Sequence, residues 1–66
     1  MNEDFGRKLR NLRQQRRLKI KQVAELVGVF PRQISGYEKG TMMPSIRTLE
    51  WLCEFYGVTA SELLGF

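Results

Sequence analysis

The segment KIKQVAELVGVFPRQISGYEKG, residues 19–40, contains the clearest structural pattern in this sequence. Its first half carries apolar side chains at the spacing of one helical face, namely Ile20, Val23, Ala24 and Val27. Gly28 follows, and glycine readily takes the left-handed conformation that ends many helices. This spacing predicts a helix over 20–27.

The second half of the segment predicts another short helix, over 31–38. Pro31 suits the first position of a helix, because its missing N–H would have no partner there. Ile34 and Tyr37 share one face at i, i+3 spacing, and Gly40 ends the element. Two helices of about eight residues, joined by a turn at 27–30, have the arrangement of a helix-turn-helix.

Three further helices are predicted around this pair. Phe5, Leu9 and Leu12 form one face of a helix over 3–16. A second helix, over 45–56, has Ser45 as its candidate N-cap. Its apolar stripe consists of Ile46, Leu49, Leu52, Cys53 and Tyr56.

The last of the three is marked by end signals. Thr59 and Glu62 have the spacing of a capping box, and Val58 and Leu63 are placed as its hydrophobic staple. These signals predict a short helix over 60–64. No stretch alternates apolar and polar residues as a strand would. We therefore expect an all-α fold of five helices, forming one domain over 1–66.

Composition argues against several function classes. The chain has 66 residues, one cysteine and no histidine, so it lacks the commonest metal ligand and general base. Cys53 lies on an apolar helical face and is expected to be an inert thiol. There is also no glycine-rich phosphate loop and no paired carboxylate site. We expect no enzyme, no metal or cofactor, and no small-molecule ligand.

No apolar run approaches the ~20 residues that a membrane-spanning helix needs. The N-terminus runs from acidic to basic without an apolar segment, which is not the pattern of a secretory signal. We therefore expect a soluble intracellular protein without membrane contact.

Positive charge is concentrated in the first part of the chain. The net charge is +4, with a balance of +5 over residues 1–19, +1 over 20–40 and −2 over 41–66. The basic end suits a polyanion, and a solvated basic helix is the alternative interpretation.

The sequence resembles the lambda-repressor-like family of Xre/Cro-type helix-turn-helix domains. The matching positions run in order along nearly the whole chain: Leu12-Arg13, Leu18, Val23-Ala24, Val27-Gly28-Val29, Ile34-Ser35, Tyr37-Glu38-Lys39-Gly40, Pro44-Ser45, Leu49, Tyr56-Gly57-Val58 and Ser61-Glu62-Leu63-Leu64. The resemblance implies a compact five-helix fold, usually dimeric, whose third helix enters the major groove of an operator. It also implies a salt bridge between Arg13 and Glu38.

The outer face of the third helix supplies the candidates for base reading: Arg32, Gln33, Ser35, Gly36 and Pro31. Arg32 comes first, because a guanidinium can donate two parallel bonds to guanine O6 and N7; a phosphate contact is the alternative. Gln33 could pair with adenine similarly. Gly36 costs a helix about 1 kcal/mol relative to alanine, so either the backbone comes close to DNA there or the glycine is merely tolerated.

Phosphate contacts are expected around the helix ends. The candidates are Lys19, Lys21 and Gln22 at the start of the second helix, Lys39, Gly40 and Thr41 after the third, and Arg47 near the start of the fourth. Such contacts position a protein on DNA without reading sequence. Arg10, Arg16 and Arg17 are weaker candidates, because a solvated helix face accounts for at least some of them.

Three residues depart from the family pattern. Lys19 and Phe30 stand where a side-chain oxygen usually caps a helix, and each missing cap costs about 0.5–2 kcal/mol unless something compensates. Phe30 is expected to pack as an apolar lid, with contact to a thymine methyl as the alternative. Ile20 stands where the family often has a DNA-contacting glutamine, so we assign it no such contact.

The C-terminal part holds more aromatic residues than so small a core can bury. We expect the remaining apolar surface to support a homodimer, at least on DNA, with Trp51, Phe55, Leu64 and Phe66 as contact candidates. The alternative is a monomer with exposed aromatics. A dimer would place two recognition helices about 34 Å apart on a near-palindromic operator.

These features together predict a sequence-specific transcriptional regulator that binds double-stranded DNA. We expect a repressor of phage, plasmid or mobile-element type, in the cytoplasm of a bacterial or phage-infected host cell. The alternative is a protein-interaction module, antirepressor- or antitoxin-like, on the same fold. The polar, basic outer face of the third helix favours DNA, since a protein-binding face should be more apolar.

Overall fold

The computed structural model describes residues 3–65. This part of the chain contains five α-helices, joined by turns and loops, and no strand. They are α1 (Glu3–Gln15), α2 (Ile20–Val27), α3 (Pro31–Lys39), α4 (Ile46–Tyr56) and α5 (Ala60–Leu64). The predicted all-α fold class is confirmed. The first helix ends one residue early, before a turn in which Arg17 takes a left-handed φ of 57°. The third helix extends one residue further, and the fourth begins after its cap residue, Ser45.

The helices enclose one apolar core. The third helix packs between α1 and α2, while α4 lies against α2 and α5, and α5 also contacts α1. The buried residues of this core are Phe5, Leu9, Val23, Ala24, Val27, Ile34, Tyr37, Leu52, Tyr56 and Leu63. Burying each large apolar side chain contributes roughly 1.5–3 kcal/mol. Every helix therefore depends on its neighbours for stability.

Side-chain caps start α4 and α5 as the sequence predicts. Ser45 Oγ accepts a hydrogen bond from the N–H of Thr48 at 3.2 Å. Thr59 Oγ1 accepts one from the N–H of Glu62 at 3.1 Å, and Glu62 Oε1 accepts one from the N–H of Thr59 at 2.9 Å. The predicted capping box is confirmed, and it allows a helix of only five residues to keep a defined start.

Gly6 allows α1 and α3 to approach closely, which the sequence did not reveal. A Cβ built on Gly6 would lie 2.7 Å from the carbonyl oxygen of Tyr37, and closer still to that of Glu38. These are backbone atoms of α3, which cannot rotate away as a side chain can. Glycine at this position therefore sets the distance between the two helices.

Arg16 attaches the end of α1 to the end of α4. Its guanidinium donates to the carbonyl oxygen of Phe55 at 2.8 Å and to that of Tyr56 at 2.7 Å. The guanidinium carbon also lies 5.4 Å from the centre of the Tyr56 ring. A cation at a helix C-terminus satisfies free carbonyls and interacts favourably with the helix dipole. Arg16 thus has a structural role.

Over residues 3–65, no helix combines the length and the apolar character needed to cross a membrane.

Candidate nucleic-acid interface

The two helices of the predicted motif pack directly against each other. Val23 and Ala24 of α2 and Ile34 of α3 are all buried where these helices pack. Gly28 and Gly40 end the two helices with left-handed φ values of 88° and 81°. The buried face fixes the rotation of α3 about its own axis, and therefore which of its side chains face solvent.

The outer face of α3 is smaller than the sequence indicated. Pro31, Arg32 and Lys39 are exposed, whereas Ser35 is half-buried. The expectation that Gly36 lies on this exposed face is wrong, because Gly36 is buried. A Cβ on Gly36 would lie 2.6 Å from Sδ and 2.8 Å from Cγ of Met42, whose side chain covers the glycine. The sequence suggested either a close approach of the backbone to DNA or a merely tolerated glycine, and neither includes this contact.

Phe30 does not pack as an apolar lid, contrary to the expectation. The residue is 64% exposed just before the first turn of α3. Its ring faces Arg32 instead, with the guanidinium carbon 5.1 Å from the ring centre, a distance typical of a cation–π contact. The pair forms the N-terminal end of the outer face.

Glutamine side chains compensate for the missing caps of α2 and α3. Gln22 Oε1 accepts a hydrogen bond from the N–H of Lys19 at 2.8 Å, and Gln33 Oε1 accepts one from the N–H of Phe30 at 2.9 Å. Each is the second half of a capping box, with glutamine three residues after the cap position. The two glutamines are themselves a sequence signal for these caps.

The caps also bear on the roles proposed for these glutamines. The half-buried Gln33 places its Nε2 3.5 Å from the hydroxyl oxygen of Tyr37. Pairing with adenine uses both the oxygen and the nitrogen of the amide, so the Gln33 oxygen that caps α3 would have to accept a second hydrogen bond from the base. Gln22 is exposed and keeps its amide nitrogen available for a phosphate.

Arg13 and Glu38 are brought together in a two-bond fork between α1 and the end of α3. Arg13 Nε lies 2.7 Å from Glu38 Oε2, and Arg13 Nη2 lies 2.9 Å from Oε1. The Glu38 side chain is 2% exposed and that of Arg13 is 13% exposed. Arg13 also donates to the carbonyl oxygen of Leu18 at 2.9 Å. The bond to Glu38 raises the pKa of Arg13, and the two-bond geometry orients both helices.

The cations of α1 are largely engaged within the fold. Arg7 pairs with Asp4 at 3.0 Å, Lys8 donates to the carbonyl oxygen of Glu62, and Arg10 lies 3.7 Å from Glu38. Among the exposed cations that make no ion pair within residues 4–65, five form a separate group: Lys19, Lys21, Arg32, Lys39 and Arg47. These five are the predicted candidates on or next to the helix-turn-helix. They leave a set of uncompensated positive charges there.

The segment after α3 is held by backbone contacts. The N–H groups of Thr41 and Met42 both donate to the carbonyl oxygen of Gly36, at 3.0 and 3.2 Å. The Thr41 hydroxyl reaches the same oxygen at 3.4 Å. Gly40 and Thr41 therefore keep a fixed position beside Lys39, as a phosphate contact would require.

The candidates for self-association differ in exposure. Trp51 is 42% and Leu64 is 37% exposed, whereas Phe55 is half-buried and packs edge-on against Tyr56. Phe66 lies outside the described residues. Leu26, Phe30 and Ile46 are more exposed than any of these candidates in the described residues.

Cys53 is half-buried and its thiol is unsuited to reaction. Burial raises its pKa, and the charges of Glu50 and Glu62 raise it further. Because the thiolate is the reactive form, these effects favour an unreactive thiol. Within residues 3–65, no three side chains of His, Cys, Asp or Glu lie together as a metal ion would require.

Comparison with known proteins places this fold in a family. A model of the helix-turn-helix domain matches residues 4–64. The chain belongs to the helix-turn-helix domain family. This confirms the resemblance on which the sequence interpretation relied.

Its relatives include named regulators. The chain is 43% identical over 61 residues to the cryptic phage CTXphi transcriptional repressor RstR of Vibrio cholerae, covering 92% of this chain and 55% of that protein. It is 39% identical over 57 residues to the transcriptional regulator DdrOP3 of Deinococcus deserti, covering 86% of this chain and 44% of that protein. It is 36% identical over 62 residues to the transcriptional activator BcrR of Enterococcus faecalis, covering 94% of this chain and 30% of that protein. The chain thus spans about half or less of the length of these relatives.

Proposed function

We propose that this chain binds double-stranded DNA in a sequence-dependent manner as part of a transcriptional regulator, with α3 in the major groove. One observation carries the proposal: Arg32 is exposed at the N-terminal end of α3, on the face opposite the buried Ile34 and Tyr37. In a helix-turn-helix, the N-terminal residues of the second helix are those that contact base edges. The family membership and the regulator names of the relatives support the same function.

Base reading rests on Arg32, with Pro31 and Ser35 beside it. A guanidinium that donates to guanine O6 and N7 contributes about 1–3 kcal/mol of discrimination against other bases. Gly36 is not proposed to contact a base, because Met42 covers it. Gln33 acts mainly by fixing the start of α3 through Phe30.

Phosphate contacts are proposed on both sides of α3. Lys19, Lys21 and Gln22 lie at the start of α2, and Lys39, Gly40, Thr41 and Arg47 lie at or beyond the end of α3. If these groups neutralise ~4 phosphates per chain, a double-logarithmic plot of affinity against salt has a slope of about −3.6. An interaction through apolar surface would show no such steep dependence.

The regulator is proposed to act as a dimer on a near-palindromic operator in the bacterial cytoplasm, without enzymatic activity. Exposed Trp51 and Leu64 support self-association, since exposed apolar surface favours burial against a partner. Repression is the proposed direction, on the strength of RstR, a phage repressor. BcrR, an activator, shows that relatives differ in this respect.

The test begins with selection of bound duplexes from a library with a randomised centre. Fluorescence anisotropy then measures affinity for a selected and a scrambled duplex at several salt concentrations. The proposal expects tighter binding to the selected duplex, a steep salt slope, and selected sites with repeated half-sites. Equal affinity for both duplexes would contradict sequence-dependent binding.

Self-association is tested separately by sedimentation of the free protein and of its complex with the selected duplex. Two chains per duplex, reduced to one by Trp51→Ala, would support the dimer. One wild-type chain per duplex at saturation would contradict it. Asn11→Ala, at another exposed position, is the matched control.

A further inference from the structure

Phe30 and Arg32 occupy the end of α3 that the proposed function points toward the bases. Both are exposed, and the guanidinium carbon of Arg32 lies 5.1 Å from the centre of the Phe30 ring. A phenylalanine that is 64% exposed gains little from the core. The contact that the structure shows for this ring is the one with the guanidinium of Arg32.

The backbone of Phe30 is held in place from both sides. Its N–H donates to Gln33 Oε1 at 2.9 Å, and its carbonyl oxygen accepts from the N–H of Gln33 at 2.9 Å. The next residue, Pro31, has a fixed φ. The ring therefore projects from a defined point beside the first turn of α3, where it limits the orientations open to Arg32.

An arginine that pairs with guanine would also bring the Phe30 ring close to the neighbouring base pair. A guanidinium paired with guanine lies in the plane of that base, and adjacent bases are about 3.4 Å apart along each strand. A ring stacked against the guanidinium is thus displaced toward the neighbouring base pair. In the major groove, the apolar group that a base pair presents is the methyl group of thymine.

We propose that Phe30 and Arg32 form one reading unit, in which Arg32 binds guanine and Phe30 contacts the methyl group of an adjacent thymine. Phe30 is a specificity-determining residue in its own right and also positions Arg32. This inference rests on the proposed function, because it assumes that α3 lies in the major groove.

The test uses duplexes chosen from the randomised library and compares thymine with uracil next to the selected guanine. Uracil lacks only the methyl group, and loss of one buried methyl corresponds to about fourfold weaker binding. Wild-type protein should show this loss at one thymine position, while Phe30→Ala should bind both duplexes equally. Leu26→Ala is the control, since Leu26 is 65% exposed outside the proposed interface and should respond to uracil as the wild type does.

Two results would overturn the inference while leaving DNA binding intact. One is selected sites in which no thymine adjoins the guanine. The other is the same uracil response in wild type and Phe30→Ala, with circular dichroism showing both folded. Failure of the library to yield any enriched duplex would instead overturn the proposed function, and this inference with it.

Discussion

Replacing Gly6 by alanine should separate α1 from α3 and destabilise the whole fold. The added methyl group would lie 2.7 Å from the carbonyl oxygen of Tyr37 and 2.8 Å from the carbonyl carbon of Glu38. Both atoms belong to the backbone of α3, so the clash is relieved only if a helix moves. Such a movement would also strain the fork between Arg13 and Glu38.

The size of the effect follows from two opposing terms. Overpacking a filled core costs typically about 1–3 kcal/mol, and a clash with backbone belongs at or above the upper end of that range. Alanine in a helix recovers about 1 kcal/mol relative to glycine. We expect a net loss of about 2 kcal/mol. In a domain of this size, each kcal/mol lowers Tm by roughly 4–8 °C, so Tm should fall by about 8–16 °C.

Gly36→Ala provides a matched control, because it makes the same substitution at another buried glycine in a helix. Its methyl group would meet the Sδ and Cγ atoms of Met42, a flexible side chain that is 42% exposed and can move aside. We expect its stability to stay within about 1 kcal/mol of the wild type. Thermal and urea unfolding followed by circular dichroism measure both variants. Equal stability of Gly6→Ala and Gly36→Ala would refute the close approach of α1 and α3.

Two further predictions concern buried polar groups. Glu38→Gln should lower the free energy of unfolding in urea by about 3 kcal/mol, because it leaves the Arg13 charge without its partner. The exposed pair of Arg7 and Asp4 is the control, and Asp4→Asn should cost far less. A loss for Glu38→Gln no larger than that for Asp4→Asn would contradict a buried fork. Burial, followed by the charge of Glu38, raises the pKa of Tyr56 to about 12 from an ordinary value of 10.0. The neutral phenol thus stabilises the fold fully below pH 10, and roughly 2–3 kcal/mol is lost as the pH rises to about 12. Tyr56→Phe should flatten this decline in unfolding measurements at alkaline pH, and an unchanged slope would argue against the buried phenol.

The fold was largely predictable from the sequence, because its helices are amphipathic and have strong end signals. Apolar spacing located the first four helices, and the capping box of Thr59 and Glu62 located the start of α5. Gly6 could not be predicted in this way. Its role depends on how closely α3 crosses α1, and that distance is a property of the packed structure and not of local sequence.

The candidate site was predictable in position but not in detail. Ile34 and Tyr37 indicated the inner face of α3, and Arg32 and Lys39 lie on the exposed side, as that face requires. Whether Gly36 is exposed depends on Met42, six residues away in a loop whose path the sequence pattern does not define. The contact of Met42 with Gly36 explains this error.

The helix starts show a different kind of error. Lys19 and Phe30 lack a side-chain oxygen that could cap a helix, but Gln22 and Gln33 stand at the third helical position of α2 and α3. A cap can be built from either side of the pair. An apolar side chain such as Phe30 suggests a lid on the core, but its ring is exposed and faces the guanidinium of Arg32.

The affinities of Arg32→Ala and Lys21→Ala for a selected and a scrambled duplex test whether α3 reads sequence. Both cations are exposed and make no ion pair within residues 4–65, so both variants should fold. Arg32→Ala should lose about 1–3 kcal/mol on the selected duplex and much less on the scrambled one, because the bidentate contact to guanine is lost. Lys21→Ala should weaken both about equally, as loss of a phosphate contact does. Equal weakening of both duplexes by Arg32→Ala would contradict the reading of sequence by α3.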